Sequence, residues 1–210
     1  MDYEAVYYDK SFDLEKIQGI DLVSVYWMGP KVAHIFLSFA FEGDEHLAIS
    51  IETRMEVGEE YSTLAGFFRR YELYYVVADE RDVIRLRTSY RNNPKEDVYI
   101  YPTSGTKEEA RELFLAYIQR INSLKKSPEF YNTITTNCTT DIWKSTRYYL
   151  KDLSWNWKIL VSGYLPEYLY KNNRLSTEGL SFSELQKKAY VNEKAKKVTS
   201  LEEFSREIRE

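Results

Sequence analysis

Residues 32–52 read VAHIFLSFAFEGDEHLAISIE, and they carry the clearest strand pattern in the chain. Residues 32–41 are apolar enough for a strand inside a sheet, and Gly43-Asp44 supplies a turn. Residues 46–52 alternate between polar and apolar side chains, as a half-buried strand does. The β-rich run Asp21–Met28 precedes them. Together these runs predict a three-stranded antiparallel meander.

The rest of the chain predicts further strands followed mainly by helices. Thr106 to Glu109 fits a capping box, and apolar residues then recur at three- and four-residue steps until Pro128. The other predicted elements are strands over 71–78, 83–87 and 98–101, a helix beginning at Cys138, short helices over 182–190 and 201–208, and a short helix or loop within 57–70. We therefore expect an α+β fold, with an antiparallel sheet under C-terminal helical cover, and one domain over residues 1–210.

Charge and composition exclude several classes of function. The 29 basic and 33 acidic residues are interleaved, for a net charge of −4, so no basic stripe is available to bind nucleic acid. The single cysteine excludes an internal disulfide and an all-cysteine zinc site. With only eight glycines and no phosphate-binding loop, and with Cys138 and the two histidines lacking the short spacing of metal ligands, we expect neither cofactor nor metal.

A targeting signal would show as a charged and apolar N-terminal segment or as a long apolar run. No run of about 18 apolar residues and no secretion signal is found, so the chain as printed is expected to be soluble. It opens directly into a plausible domain. We hypothesise that a flanking signal or membrane helices belong to a longer protein.

Cys138 is the candidate nucleophile, because a thiol in the first turn of a helix is more readily ionised. Only His34 and His46 are available as histidine bases. His34 lies within the apolar strand pattern, where a histidine needs a hydrogen-bond partner, and it is our preferred base. The alternative reading of His34 is a half-buried residue bonded to a backbone carbonyl. His46 follows a turn and is interpreted as a solvated loop residue.

A third group should orient the base. His46, Ser50 and Glu52 share one face of their strand with Ala48. Glu52 is our first choice because a carboxylate stabilises an imidazolium, with Ser50 second and His46 third. A structural ion pair of Glu52 with Arg54 or Arg69 is equally compatible with the sequence.

Stabilisation of an oxyanion would come from the backbone N–H of Cys138 and its neighbours. Asn137 and Ser50 are the side-chain candidates for contacts with an oxyanion or substrate, although Asn137 also fits a helix cap. Large aromatics could line an apolar trough for an acyl chain, but they suit core filling equally well: Trp27, Phe67, Phe68 and Trp143.

Four ordered motifs then resemble a known family. They are HIFLSF at 34–39, LAISIETR at 47–54, ELYYVVADERD at 72–82 and FYNTITTNCTT at 130–140. In this order they are similar to the Lnb N-terminal periplasmic domain family, over roughly residues 21–190. The resemblance implies a bacterial extracytoplasmic domain, usually attached to membrane segments. It also implies a permuted papain-like fold related to NlpC enzymes, in which the histidine strand precedes the cysteine helix.

The resemblance further implies a function. The family is named after a lipoprotein N-acyltransferase that is thought to work through a thioester. Carried over, Cys138 becomes the nucleophile and His34 the base, whereas Glu52 rests on strand geometry. We expect a cysteine-dependent acyltransferase of the cell envelope, with a lipid-modified lipoprotein as partner and a membrane surface nearby. The alternatives are a cysteine peptidase or amidase acting on cell-wall peptides, and an inert binding module with a buried thiol.

Overall fold

The structure is a computed structural model that describes residues 6–54, 71–132, 138–146 and 154–210. Within those residues, five strands form one antiparallel sheet in the order β4-β3-β2-β1-β5. The strands are β1 (Ile17–Tyr26), β2 (Ala33–Phe41), β3 (Glu45–Arg54), β4 (Glu72–Ala78) and β5 (Asp97–Pro102). The helices are α1 (Glu80–Arg85), α2 (Lys107–Lys126), α3 (Cys138–Thr146), α4 (Leu165–Lys171), α5 (Phe182–Ala189), α6 (Asn192–Ala195) and α7 (Phe204–Glu207).

The predicted meander is confirmed as β1, β2 and β3. In its register Val25 lies opposite His34, and Ser38 lies opposite Ala48. β1 begins earlier than predicted because it continues through an irregularity in the pairing near Gly19. The meander sets the positions of the polar side chains on β2 and β3.

The predicted strand over residues 83–87 is wrong. Residues 83–85 belong to α1, and a π-helical turn over Leu86–Tyr90 follows it directly. Val83 and Ile84 are buried together against the sheet, and a short apolar run of this kind does not distinguish a strand from a helix. Glu80, at the start of α1, is only 1% exposed although it lies in a run of charged residues.

Helices cover both faces of the sheet. Leu37, Phe39 and Ile49 belong to a core that includes side chains of α2, α3 and α4. Alternate residues of the same strands, such as Phe36 and Ala48, pack on the other face against α1, α6 and α7. The fold is therefore α+β with an antiparallel sheet, as predicted, and helices flank the sheet on two sides.

The predicted long helix is confirmed as α2. Thr106 and Glu109 form the capping box, in which each side chain binds the other residue's backbone N–H. The C-terminal helices are confirmed as α5 and α7, with α7 shorter than predicted. The helix or loop predicted within 57–70 lies outside the described residues, as do residues 133–137 ahead of α3.

Candidate active site

His34 is the second residue of β2, so its ring lies at the end of the sheet. By alternation it shares a face with Phe36, whose ring centroid is 5.8 Å away. The His34 side chain is only 13% exposed. A histidine buried to this degree needs hydrogen-bond partners, and β3 supplies them.

Ser50 and Glu52 of β3 both reach the same ring nitrogen. His34 Nε2 lies 2.7 Å from Ser50 Oγ and 3.1 Å from Glu52 Oε1. Ser50 donates its own proton to Glu52 Oε1 at 2.8 Å, which leaves the Ser50 oxygen to accept from His34. The proton of the neutral ring is therefore on Nε2. Ser50 is fully buried between the two partners and links the His34 ring to Glu52.

Arg87 is a member of this cluster that sequence reasoning missed. Its Nη2 donates to Glu52 Oε1 at 3.0 Å, and its guanidinium lies 5.8 Å from the centre of the Phe36 ring. Arg87 also faces Glu96, with 3.5 Å between Nη1 and Oε2. Placing residues 83–87 in a strand hid this role, since only the π-helical turn brings the side chain over the sheet. Of the two arginines proposed for Glu52, Arg54 faces Glu72 instead, 3.7 Å away, and Arg69 lies outside the described residues.

Cys138 is the first residue of α3 as described, and it is 9% exposed. α3 contacts both β2 and β3. The Cys138 side chain is within hydrogen-bond reach of the His34 ring. Nε2 of the same ring contacts Ser50 and Glu52. The structure thus brings together the three residues singled out from sequence, Cys138, His34 and Glu52.

The electrostatics of the cluster favour a charged pair. Burial by itself lowers the pKa of His34. The Glu52 carboxylate and the hydrogen bonds with Cys138 and Glu52 outweigh burial and raise that pKa to about 9. Burial raises the pKa of Glu52, but His34 and Arg87 together lower it to about 2. His34 is therefore an imidazolium at neutral pH, beside an ionised Glu52.

A second set of contacts holds α3 in place. Asp141, one turn beyond Cys138, is 4% exposed and accepts a hydrogen bond from the Tyr75 hydroxyl at 3.1 Å. Arg120 of α2 approaches the same carboxylate at 3.5 Å and also binds Glu129 through two hydrogen bonds. These bonds link α3 to β4 and α2. They restrain the position of the thiol relative to the sheet.

His46 is not the solvated loop residue that its sequence context suggested. It lies on β3, and its Nδ1 is buried without a hydrogen-bond partner among the described residues. Burial lowers the pKa of His46. Its ring lies near Asp21 and Glu80, with candidate ligand atoms of the three residues within 4.8 Å of one another. Arg209 binds both of those carboxylates, at 2.6 Å each.

An apolar cavity that opens to solvent lies beside α3, and its volume is about 850 Å³ when the solvent at its mouth is included. Its walls come from β1, β2, α2, α3 and α4, and Glu109 and Arg174 are its charged members. Thr139, the neighbour of Cys138, and Trp143 line it. Trp27 instead lines a separate polar pocket with Lys95 and Asp97. The other residues proposed for a trough or an oxyanion contact, Phe67, Phe68 and Asn137, lie outside the described residues.

Comparison with known proteins identifies the family. The sequence model described as "Lnb N-terminal periplasmic domain" matches residues 3–163, which is more than half of the chain. No curated protein and no solved structure matches. The family description supports an extracytoplasmic location in the cell envelope, and none of the helices in the described residues is long and apolar enough to cross a bilayer. On this match, the chain belongs to the Lnb N-terminal periplasmic domain family.

Proposed function

We propose that this protein is a cysteine-dependent acyltransferase of the cell envelope that works through a thioester. One observation carries the proposal: the Cys138 side chain lies within hydrogen-bond reach of a buried histidine whose Nε2 is held by Ser50 and Glu52. A nucleophile, a base and a group that orients the base are the parts that thiol catalysis needs.

The proposed reaction has two halves. The Cys138 sulfur attacks the carbonyl carbon of an ester or amide, and His34 holds the thiol proton. The tetrahedral intermediate then expels its leaving group, which takes that proton from His34, and an S-acyl bond to Cys138 remains. In the second half an amine attacks the thioester, its excess proton passes to His34 and then to sulfur, and the free thiol is restored.

The oxyanion of each intermediate needs hydrogen-bond donors. We assign them to the backbone N–H of Cys138 and of the residues that follow it, on the proposal that the thiol lies in the first turn of α3. Asn137 is the side-chain candidate for a further donor. A permuted papain-like arrangement, with the histidine strand ahead of the cysteine helix, belongs to the same proposal.

The apolar cavity supports an acyl group as the portion transferred. Thr139 lies at the cavity wall directly beside Cys138 in the chain, and Ile142 and Trp143 continue that wall along α3. An acyl chain in this cavity would bury its methylene groups at about 0.8 kcal/mol each. A lipid-modified lipoprotein supplies such a chain together with an N-terminal region that can accept it.

The test is to trap and identify the acyl-enzyme. The protein is incubated with a diacylated lipopeptide in detergent micelles, and its intact mass is measured after acid quenching. We expect a mass increase of one acyl chain on Cys138, absent in Cys138→Ser, and transfer of that chain to an amine-bearing lipopeptide. Release of free peptide or fatty acid without transfer would assign the protein to hydrolysis. A Cys138 that neither acylates nor reacts with iodoacetamide would support the inert binding module.

A further inference from the structure

Two surface turns meet at the end of the sheet that carries His34. One is the β1–β2 turn, residues 27–32, and the other is the segment of residues 154–164. The backbone N–H of Gly163 donates to Lys31 O at 3.1 Å, and the Tyr26 hydroxyl donates to Gly163 O at 2.8 Å. A Cβ on Gly163 would lie 2.2 Å from the Pro30 carbonyl oxygen, so only glycine permits this approach. The two turns therefore form one continuous surface.

That surface exposes a group of large apolar side chains, here named the tip patch. Its members are between 39% and 73% exposed: Met28, Val32, Trp155, Trp157 and Leu160. Ring contacts connect it to the interior, since Trp157 packs on Tyr164 and Trp155 packs on Trp143 of the cavity wall. Apolar side chains grouped on one surface mark an interaction site, whereas isolated ones do not.

The charged residues within the two turns are both lysines, although the chain as a whole is acidic, and Lys95 and Asp97 in the pocket beside Trp27 balance each other. Lys31 and Lys158 are the only charged residues within 27–32 and 154–164, in a chain with 33 acidic residues and 29 basic ones. Lys158 pairs with Glu167 at 3.0 Å, and Glu167 also binds Lys171 at 2.6 Å. These four side chains together carry a net positive charge, which complements an anionic lipid surface.

We propose that the tip patch docks the domain onto the surface of an anionic bilayer. Tryptophan has an apolar body and a polar N–H, and it is enriched where a protein meets the lipid headgroups. Met28, Val32 and Leu160 would enter the outer hydrocarbon, while the lysines would remain with the headgroups. His34 follows Val32 by two residues, so docking turns the cysteine–histidine end of the sheet toward the lipid. The inference does not depend on the acyl-transfer proposal.

Vesicle flotation tests the proposal with the whole chain. We expect the protein to float with vesicles of phosphatidylcholine and phosphatidylglycerol. Met28→Ser combined with Leu160→Ser should weaken partitioning by at least about tenfold, because both apolar side chains are lost from the contact. A matched control, Leu115→Ser combined with Leu201→Ser, removes exposed leucines outside the patch and should bind as the wild type does.

A separate variant tests the contribution of charge to vesicle binding. Lys31→Glu changes two charge units, each worth about fivefold near an anionic surface, so binding should fall roughly 25-fold. The same substitution should not weaken binding to pure phosphatidylcholine. Vesicles with brominated lipid tails should quench tryptophan fluorescence, and Trp157→Phe should reduce the quenched fraction.

Several outcomes would overturn the proposal. One is failure of the wild-type protein to float with anionic vesicles. Another is equal weakening by the patch and control pairs of substitutions. A third is a dimer, seen by sedimentation velocity without vesicles, that the patch substitutions dissociate, since this would assign the patch to a second copy of the chain. Circular dichroism of each variant separates these results from unfolding.

Discussion

Two buried clusters of similar composition lie on one face of the sheet, at opposite ends of β2 and β3. Each contains a histidine, a serine, an arginine and one or two acidic residues. The thiol-side cluster consists of His34, Ser50, Glu52 and Arg87, and the Arg209 cluster consists of His46, Ser38, Glu80, Asp21 and Arg209. Among the described residues, only the first has a thiol within hydrogen-bond reach of its histidine. Residue types alone do not distinguish the two.

The two clusters differ in the groups that their carboxylates bind. In the thiol-side cluster Glu52 binds the histidine directly, so the pKa of His34 rises to about 9. In the other cluster Arg209 binds both Asp21 and Glu80, and burial lowers the pKa of His46. Glu52 pairs with Arg87 too, but it also contacts the His34 ring directly, whereas the charge of Arg209 lowers the pKa of His46 against the action of Glu80. The first cluster is therefore suited to proton transfer and the second to anchoring the C-terminal residues.

The largest expected effect separates the two histidines by reactivity. His34→Gln should lower the rate of Cys138 alkylation and of acyl transfer by about a hundredfold or more, which is the usual contribution of a general base. His46→Gln is the matched control and should leave both rates unchanged. Iodoacetamide labelling followed by mass spectrometry measures the first rate. Equal losses in the two variants would break the distinction between the clusters.

The next largest expected effect compares Glu80 and Glu52 by what their substitution costs in the free energy of unfolding. Glu80→Gln removes one of the two carboxylates that bind Arg209, and because the Glu80 side chain is fully buried we expect a cost of about 1.5–3 kcal/mol in the free energy of unfolding. Glu52→Gln should cost less, because the Glu52 side chain is 26% exposed whereas that of Glu80 is fully buried. Urea unfolding of both variants supplies the comparison. A larger loss for Glu52→Gln would reverse the assignment of the anchoring cluster.

The pH dependence of the free energy of unfolding tests the raised pKa of His34. Its pKa is raised from 6.5 to about 9 on folding, so protonated His34 stabilises the fold fully below pH 6.5. That contribution is lost as the pH rises through 9. Between pH 7 and pH 10 the wild type should therefore lose more free energy of unfolding than His34→Gln does. Parallel losses would show that folding does not raise this pKa.

The smallest expected effect concerns Arg87. Its positive charge lowers the pKa of His34 against the action of Glu52. Arg87→Met should therefore move the pKa of His34 slightly further upward, as followed by the ring proton shifts in NMR. Arg91→Met serves as the control, since Arg91 is exposed and pairs with Glu96 at 3.1 Å. A downward shift in Arg87→Met would mean that Arg87 acts on His34 mainly by positioning Glu52.

Much of the fold and of the site could be predicted from local pattern. Alternation over residues 32–52 predicted the paired strands, and the same alternation placed His46, Ser50 and Glu52 on one face. The capping box at Thr106 predicted the start of α2 because both of its hydrogen bonds are local. Cys138 and His34 were identifiable because the chain has one cysteine and two histidines.

Contacts between distant segments could not be predicted in the same way. Arg87 reaches Glu52 only because residues 83–87 are helical, and their apolar run is compatible with a strand as well. Arg209 reaches Asp21 and Glu80 across most of the chain, so nothing near His46 in the sequence indicated that its environment was already neutralised. The tip patch likewise depends on Gly163 meeting the β1–β2 turn.

The sequence by itself determined the strand meander, the long capped helix, the family and the small set of residues able to do thiol chemistry. These follow from side-chain periodicity, local hydrogen bonds and the scarcity of cysteine and histidine. Only the tertiary structure decided which histidine stands beside the thiol and carries a raised pKa. The reason is physical: a pKa depends on burial and on charges a few ångströms away, and here those charges come from a strand partner and a distant helical turn.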